Sequence, residues 1–272
     1  MRKTTTQKEA VGLKTIFITG AGSGLGRGAA FGLARQGHKV IATTETTSQK
    51  TDVLRQAEEE GLAMDVYKLD ITNPRDLMQI GKTDFDIFVA NAAINEGGPL
   101  AEIPMDRVRA LFEVNVFATL ESARLAAARL VDKRKGKIIF MSSMAGISAT
   151  PFVGPYTATK HAIEGIAQTM QKELEPFGVQ VATINPGAYN TGFNDRAGEE
   201  IWKWFDDSVH FTKKEDILKQ QENLKNQFDP QDMIDKMVEI IPKDHHPFRT
   251  VHPQETEDQL KKTEKKRWEM EI

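Results

Sequence analysis

Residues 14–26 read KTIFITGAGSGLG: an apolar, β-branched run breaks into glycines, and a helical pattern follows from about Leu25 to Gln36. Glycine lets a chain turn sharply and lets its backbone approach a pyrophosphate, whose charge is favoured by the free N–H groups at a helix start. The spacing is G-x-x-x-G-x-G through Gly20, Gly24 and Gly26, and G-x-G-x-x-G is not met in any frame. A glycine turn alone can be purely structural. Strand, glycines and helix in this order favour nucleotide binding.

The alternation continues outward. Strand-like runs at 39–43 (KVIAT), 63–70 (AMDVYKLD), 86–92 (DIFVANA), 136–143 (GKIIFMSS) and 180–187 (QVATINPG) are separated by helical patterns near 48–60, 74–80, 105–133 and 155–175. This rhythm predicts an α/β fold, a Rossmann-like doubly wound parallel sheet with helices on both faces (three layers), as a single domain over 13–252. A polar extension (1–12) precedes it and a charged helical tail (253–272), read as a solvated appendage, follows. Residues 193–230, charged and aromatic with EEIWKWFDDSVHF among them, follow a strand end, where a doubly wound fold carries its ligand, and read as a substrate lid. Trp202, Trp204 and Phe205 either line that pocket or form the buried side of an ordinary amphipathic helix.

Composition removes several classes. A net charge of −3 gives no general attraction to nucleic acid or anionic membrane. The absence of Cys excludes disulfides and thiolate metal sites, and His245-His246 has no partner at ligand spacing, so no metal centre is expected. No apolar run approaches the roughly 20 residues of a membrane span, and a cytoplasmic protein is expected.

YTATK, 156–160, puts a phenol and an ammonium four residues apart, one above the other if the segment is helical. On spacing alone this is either a solvated helix face or a shared site. Taken with TGAGSGLG (19–26), Asn91 in VANAA, Asn115 in the long helix and Ser143 thirteen residues before Tyr156, the chain resembles the short-chain dehydrogenase/reductase family over about residues 13–193. Pro186, Gly187 and Thr191 of PGAYNT are similar to the segment that passes the nicotinamide in that family.

The resemblance implies hydride transfer between a nicotinamide cofactor and a small-molecule secondary alcohol or ketone. A free tyrosine has a pKa near 10, and the charges of Lys160 and an oxidised nicotinamide both favour its phenolate. Tyr156 is therefore expected to act as general acid in reduction and general base in oxidation, with Ser143 donating to the substrate oxygen. Asn115 is expected to help hold a water that relays protons from Lys160, which would also bond the nicotinamide ribose. Gly20, Ser23, Gly24, Leu25 and Gly26 are expected at the pyrophosphate, Thr44 and Glu45 at the adenosine ribose, Asp70 with Ile71 at the adenine, and Asn91 and Ala92 along the adenosine.

An acidic residue accepts from a ribose 2′-hydroxyl, whereas a 2′-phosphate wants a basic partner, and neither Ser23 nor Glu45 is basic. The expected cofactor is NAD(H) or NADP(H), leaning to NAD(H). Two departures from the family pattern stand out: Ala93 replaces a usual glycine, and IIPKDHHPFRTVHP replaces a V-D-G-G strand, with Arg249 either at a substrate or subunit contact or simply at the surface. Substrate walls are expected from Ile94, Ala145, Phe152 and Tyr189. A homodimer or homotetramer is expected through the helices near 107–133 and 156–175, whose apolar positions include Leu111, Phe112, Val116, Leu120, Ile163, Ile166 and Met170. The competing readings are a non-catalytic dinucleotide-sensing protein and a non-redox enzyme on the same scaffold. The joint presence of Asn115, Ser143, Tyr156 and Lys160 argues against the first, and the intact glycine turn against the second.

Overall fold

Strand and helix alternate along the chain as β1 (Thr15–Ile18), α1 (Gly24–Arg35), β2 (Lys39–Thr44), α2 (Thr47–Glu59), β3 (Met64–Lys68), α3 (Pro74–Lys82) and β4 (Ile87–Ala90). Next come α4 (Met105–Phe112), a π-helical segment (Glu113–Ala118), α5 (Thr119–Lys133), β5 (Gly136–Met141), α6 (Gly154–Leu174) and β6 (Val179–Pro186). The last part holds α7 (Phe193–Glu200), α8 (Lys214–Asn223), α9 (Pro230–Ile240), β7 (Arg249–His252) and α10 (Gln254–Trp268). The computed structural model describes residues 12–223 and 226–271, so nearly all of the expected N-terminal extension, residues 1–11, lies outside the described residues.

The seven strands form one parallel sheet in the order β3-β2-β1-β4-β5-β6-β7. Its order reverses between β1 and β4, and a crevice opens at that point beyond the carboxyl ends of the strands. Both faces are covered, which is why the strands read as continuous apolar runs. Ile16 and Ile18 join a core with Val40, Val89 and Ile139 under α1 and α9. Phe17, between them, points the other way, into a core with Phe88, Phe140 and Ile163. Among the described residues no helix is long and apolar enough to cross a membrane.

Three features differ from the sequence reading. The expected 105–133 helix is broken by the π-helical segment that carries Asn115, a local widening often found at functional positions. Helix α9 was not foreseen; it packs on α1 where Gly28 and Gly32 leave room, since a β-carbon there would lie 2.2 Å from Ile234 and 2.4 Å from Val238. The tail is not merely solvated: α10 buries Thr256 and Leu260 in its first two turns. The apolar surplus ascribed to a subunit interface also shrinks. Leu111, Val116, Ile163 and Met170 are buried within the chain, leaving Phe117, 57% exposed, as the large apolar side chain standing out from the π-helical segment.

Candidate active site

The crevice is a cavity of about 560 Å³ running from the glycine turn to Ser143 and Tyr156. Its floor depends on the glycines. Gly20 and Gly24 have φ of +66° and +57°, values that L side chains rarely adopt. A β-carbon on Gly20 would come within 2.7 Å of the Ala92 Cα, and one on Gly26 within 2.3 Å of the Asn91 amide nitrogen. Ser23 leads into α1 without a side-chain capping bond, and the first turn carries no acidic residue. The N–H groups of that turn are left for an anion, so the cradle fits a pyrophosphate.

Asn91 also has a structural duty. Its Nδ2 donates to the carbonyls of Thr19 (2.9 Å) and Gly20 (3.0 Å), while Thr19 Oγ1 accepts from the N–H groups of Asn91 (3.0 Å) and Ala92 (3.1 Å). The side chain ties the glycine turn to the end of β4, and Asn91 and Ala92 line the cavity beside it.

At the adenosine end Thr44 corrects the sequence reading. It is fully buried, with Oγ1 donating to the Thr46 carbonyl at 3.0 Å, and does not line the cavity. Glu45, the exposed residue just past the end of β2, is the one that lines it, with Gln49 beside it. Asp70 and Ile71 line the same end, Asp70 accepting from the Thr72 N–H (2.9 Å) and hydroxyl (2.7 Å). Glu45 and Asp70 make this end acidic, and no Lys or Arg lines it among the described residues.

At the other end, Ser143 follows β5 and caps a 3₁₀ turn (Met144–Gly146), its Oγ accepting from the Ala145 N–H at 3.1 Å. Pro155 sits in the first turn of α6, where a missing N–H costs nothing, and the helix then stacks Tyr156 beneath Lys160. Tyr156 is 8% exposed; burial pushes its phenol above the usual range, and a hydrogen bond with Ser143 acts the other way. Lys160 donates to the Met141 carbonyl at 2.8 Å, with its Nζ 5.5 Å from the centre of the Tyr156 ring. Burial brings this ammonium down to about 8, against the pull of Glu164.

Asn115 does not open on the cavity. Its Oδ1 accepts from the Ile94 N–H (2.9 Å), and its Nδ2 donates to the Ile94 carbonyl (2.9 Å) and to Thr159 Oγ1 (3.3 Å). The side chain clamps the loop after β4 against α6, next to Lys160.

Leu25, Pro186, Gly187 and Thr191 line the cavity as well. Gly187 is backed by the tail, its N–H donating to the His252 carbonyl at 2.8 Å and its α-carbon facing Thr256. Of the residues expected at the substrate walls, Ile94 and Tyr189 line the cavity, but Ala145 and Phe152 do not. Helix α7, at the start of the expected lid, contributes Phe193, Asn194, Arg196 and Glu200, and the Phe193 ring meets that of Tyr156 edge-on at 5.8 Å. Trp202, Trp204 and Phe205 form a separate cluster with His210, which stacks on Phe205 at 5.1 Å. Asn95 and Glu96 also line the cavity, Glu96 paired at 2.9 Å with Arg107. Sequence reasoning missed both, because nothing in local spacing marks a loop residue that faces inward.

The family model described as short chain dehydrogenase matches residues 14–202. The chain is 32% identical over 242 residues to an oxidoreductase of Bacillus subtilis, spanning 85% of this chain and 86% of that one. It is 36% identical over 203 residues to a diacetyl reductase, (S)-acetoin forming, of Staphylococcus epidermidis, spanning 72% and 79% respectively. A crystal structure of a short-chain dehydrogenase from Streptomyces avermitilis matches with a TM-score of 0.76 at 22% identity, covering 95% of this chain and 96% of that one.

Proposed function

The chain belongs to the short-chain dehydrogenase family, and from that premise we propose that it is an oxidoreductase moving a hydride between NAD(H) and a secondary alcohol or ketone. The observation that carries the reading is that Ser143, Tyr156 and Lys160 meet at one end of a cavity whose other end is the glycine turn. A bound nicotinamide would supply or take up the hydride at the carbon bearing the oxygen. In reduction Tyr156 gives its proton to that oxygen, and its burial keeps the phenol protonated for the purpose. Ser143 Oγ donates to the same oxygen and holds it as charge develops. Lys160 supports the phenolate left behind, and a proton returns to it from solvent past Asn115; oxidation runs these steps backwards.

The reading favours NAD(H) because Glu45 would accept from a ribose hydroxyl and, with the charge of Asp70 at the same end, would repel a 2′-phosphate. It includes assembly as a homodimer or homotetramer, supported by the exposed Phe117. Diacetyl is the first ketone to try, since a relative is named for its reduction. Tyr156→Phe tests the mechanism: it is expected to fold and bind cofactor normally while losing about 10²–10⁴-fold in turnover. A folded variant with undiminished turnover overturns the assignment.

A further inference from the structure

Glu164 lies one helical turn beyond Lys160 on α6 and is 3% exposed. A carboxylate so deeply buried needs partners. Its Oε2 accepts from Arg249 on β7, at 2.5 Å from Nη2 and 3.2 Å from Nε, and its Oε1 accepts from Asn185 Nδ2 on β6 at 2.6 Å. Asn185 is itself fully buried, and the same Nδ2 donates to the backbone carbonyl of Ser143 at 3.0 Å. Its Oδ1 accepts from Thr183 at 2.9 Å, which fixes the amide's orientation. Arg249, whose side chain is 36% exposed, thus turns its guanidinium to the head of a hydrogen-bonded chain that ends on Ser143.

The turn after Ser143 presses on α6 at the same place. A β-carbon on Gly146 would lie 3.0 Å from the Lys160 carbonyl and 3.1 Å from Glu164 Cγ. Charge reaches Glu164 from two sides, Arg249 from β7 and Lys160 from its own helix, whereas β5 and β6 present it with the uncharged Ser143 carbonyl and Asn185 amide.

We propose that Glu164, locked by Arg249, is a positioning residue for the catalytic end: through Asn185 it fixes the Ser143 turn, and its charge offsets the burial of the Lys160 ammonium. The kinetic consequence rests on the hydride-transfer reading, whereas the electrostatic one does not. The test is therefore a titration of the cofactor-free protein carrying ¹³C at lysine Cε, with the Lys160 resonance assigned from Lys160→Arg.

In Glu164→Gln the Lys160 midpoint is expected to fall by about one pH unit, and Glu164→Asp, which keeps the charge, to recover most of it. In Arg249→Gln, which removes a charge of the same sign as that of Lys160, the midpoint is expected to rise. A Lys160 midpoint unmoved in the folded variants overturns the proposal. With a ketone that turns over, the basic limb of kcat is expected to move to lower pH in Glu164→Gln by the same amount. A loss of kcat with the limb in place would mean a merely structural role and would also overturn it. A wild-type protein that turns over no ketone at all counts against hydride transfer, and the titration still decides the role of Glu164.

Discussion

At the scale of single residues, the account depends on charged groups held where water is scarce. Lys160 and Lys137 are both brought down to about 8 by burial, Lys137 donating to the carbonyls of Ile241 and Lys243 behind α9. A lysine whose folded pKa lies below its unfolded value binds fewer protons when folded, so its penalty is relieved as pH rises from about 8 towards the ordinary lysine value. Wild-type stability relative to Lys137→Met should therefore increase by about 1–2 kcal/mol between about pH 7.5 and 9.5. Urea unfolding at the two pH values checks this, and a constant difference would show that the ammonium is not desolvated. At this scale the sequence was legible where a residue type and its spacing both mattered, as in Tyr156 with Lys160. It misled at Thr44, whose side chain is buried at the end of β2, while Glu45, just past the strand end, reaches the cavity.

Among the elements, α1 is asymmetric in what its glycines do. Gly24 and Gly26 shape the anion cradle, while Gly28 and Gly32, one and two turns later, are contact points for α9. The Gly32 position faces Val238 Cγ2 at a projected 2.4 Å, and a β-branched side chain has little rotamer freedom to withdraw. Gly32→Ala should destabilise the protein by about 1–3 kcal/mol, and Val238→Ala in the same chain should recover part of that loss. Strictly additive effects in the double variant would mean that the two helices do not meet there. Helix α9 was illegible because its apolar positions have meaning only against the groove on α1. The break before α5 was equally hidden, since a π-helical segment leaves no mark on a pattern of period 3.6.

For the molecule as a whole, the fold was the most legible property. A parallel sheet covered on both faces writes itself as apolar runs such as TIFI and IFVA, whereas the order reversal between β1 and β4 comes from where the chain crosses after β3 and leaves no mark in any single run. The 193–230 segment was legible only as a location, because its placement depends on long-range packing rather than on local periodicity. Assembly belongs to this scale too. Light scattering at micromolar concentration should show a dimer or tetramer, and Phe117→Lys should shift it towards monomer, because a charge in an apolar contact is poorly tolerated. Monomer alone in the wild type would refute the association.

The most direct test of a nicotinamide oxidoreductase reading needs no substrate. Trp202 and Trp204 directly follow α7, which lines the cavity, so energy transfer from tryptophan to a reduced nicotinamide reports binding as the purified protein is titrated with NADH and, separately, with NADPH. The account predicts saturation by NADH at micromolar concentration and binding of NADPH weaker by about tenfold or more, roughly 1.4 kcal/mol, with Glu45 as the discriminating side chain. Saturation by NADPH alone would reverse the cofactor assignment while leaving Tyr156 its role, and binding of neither, confirmed by calorimetry, would contradict the account at its centre.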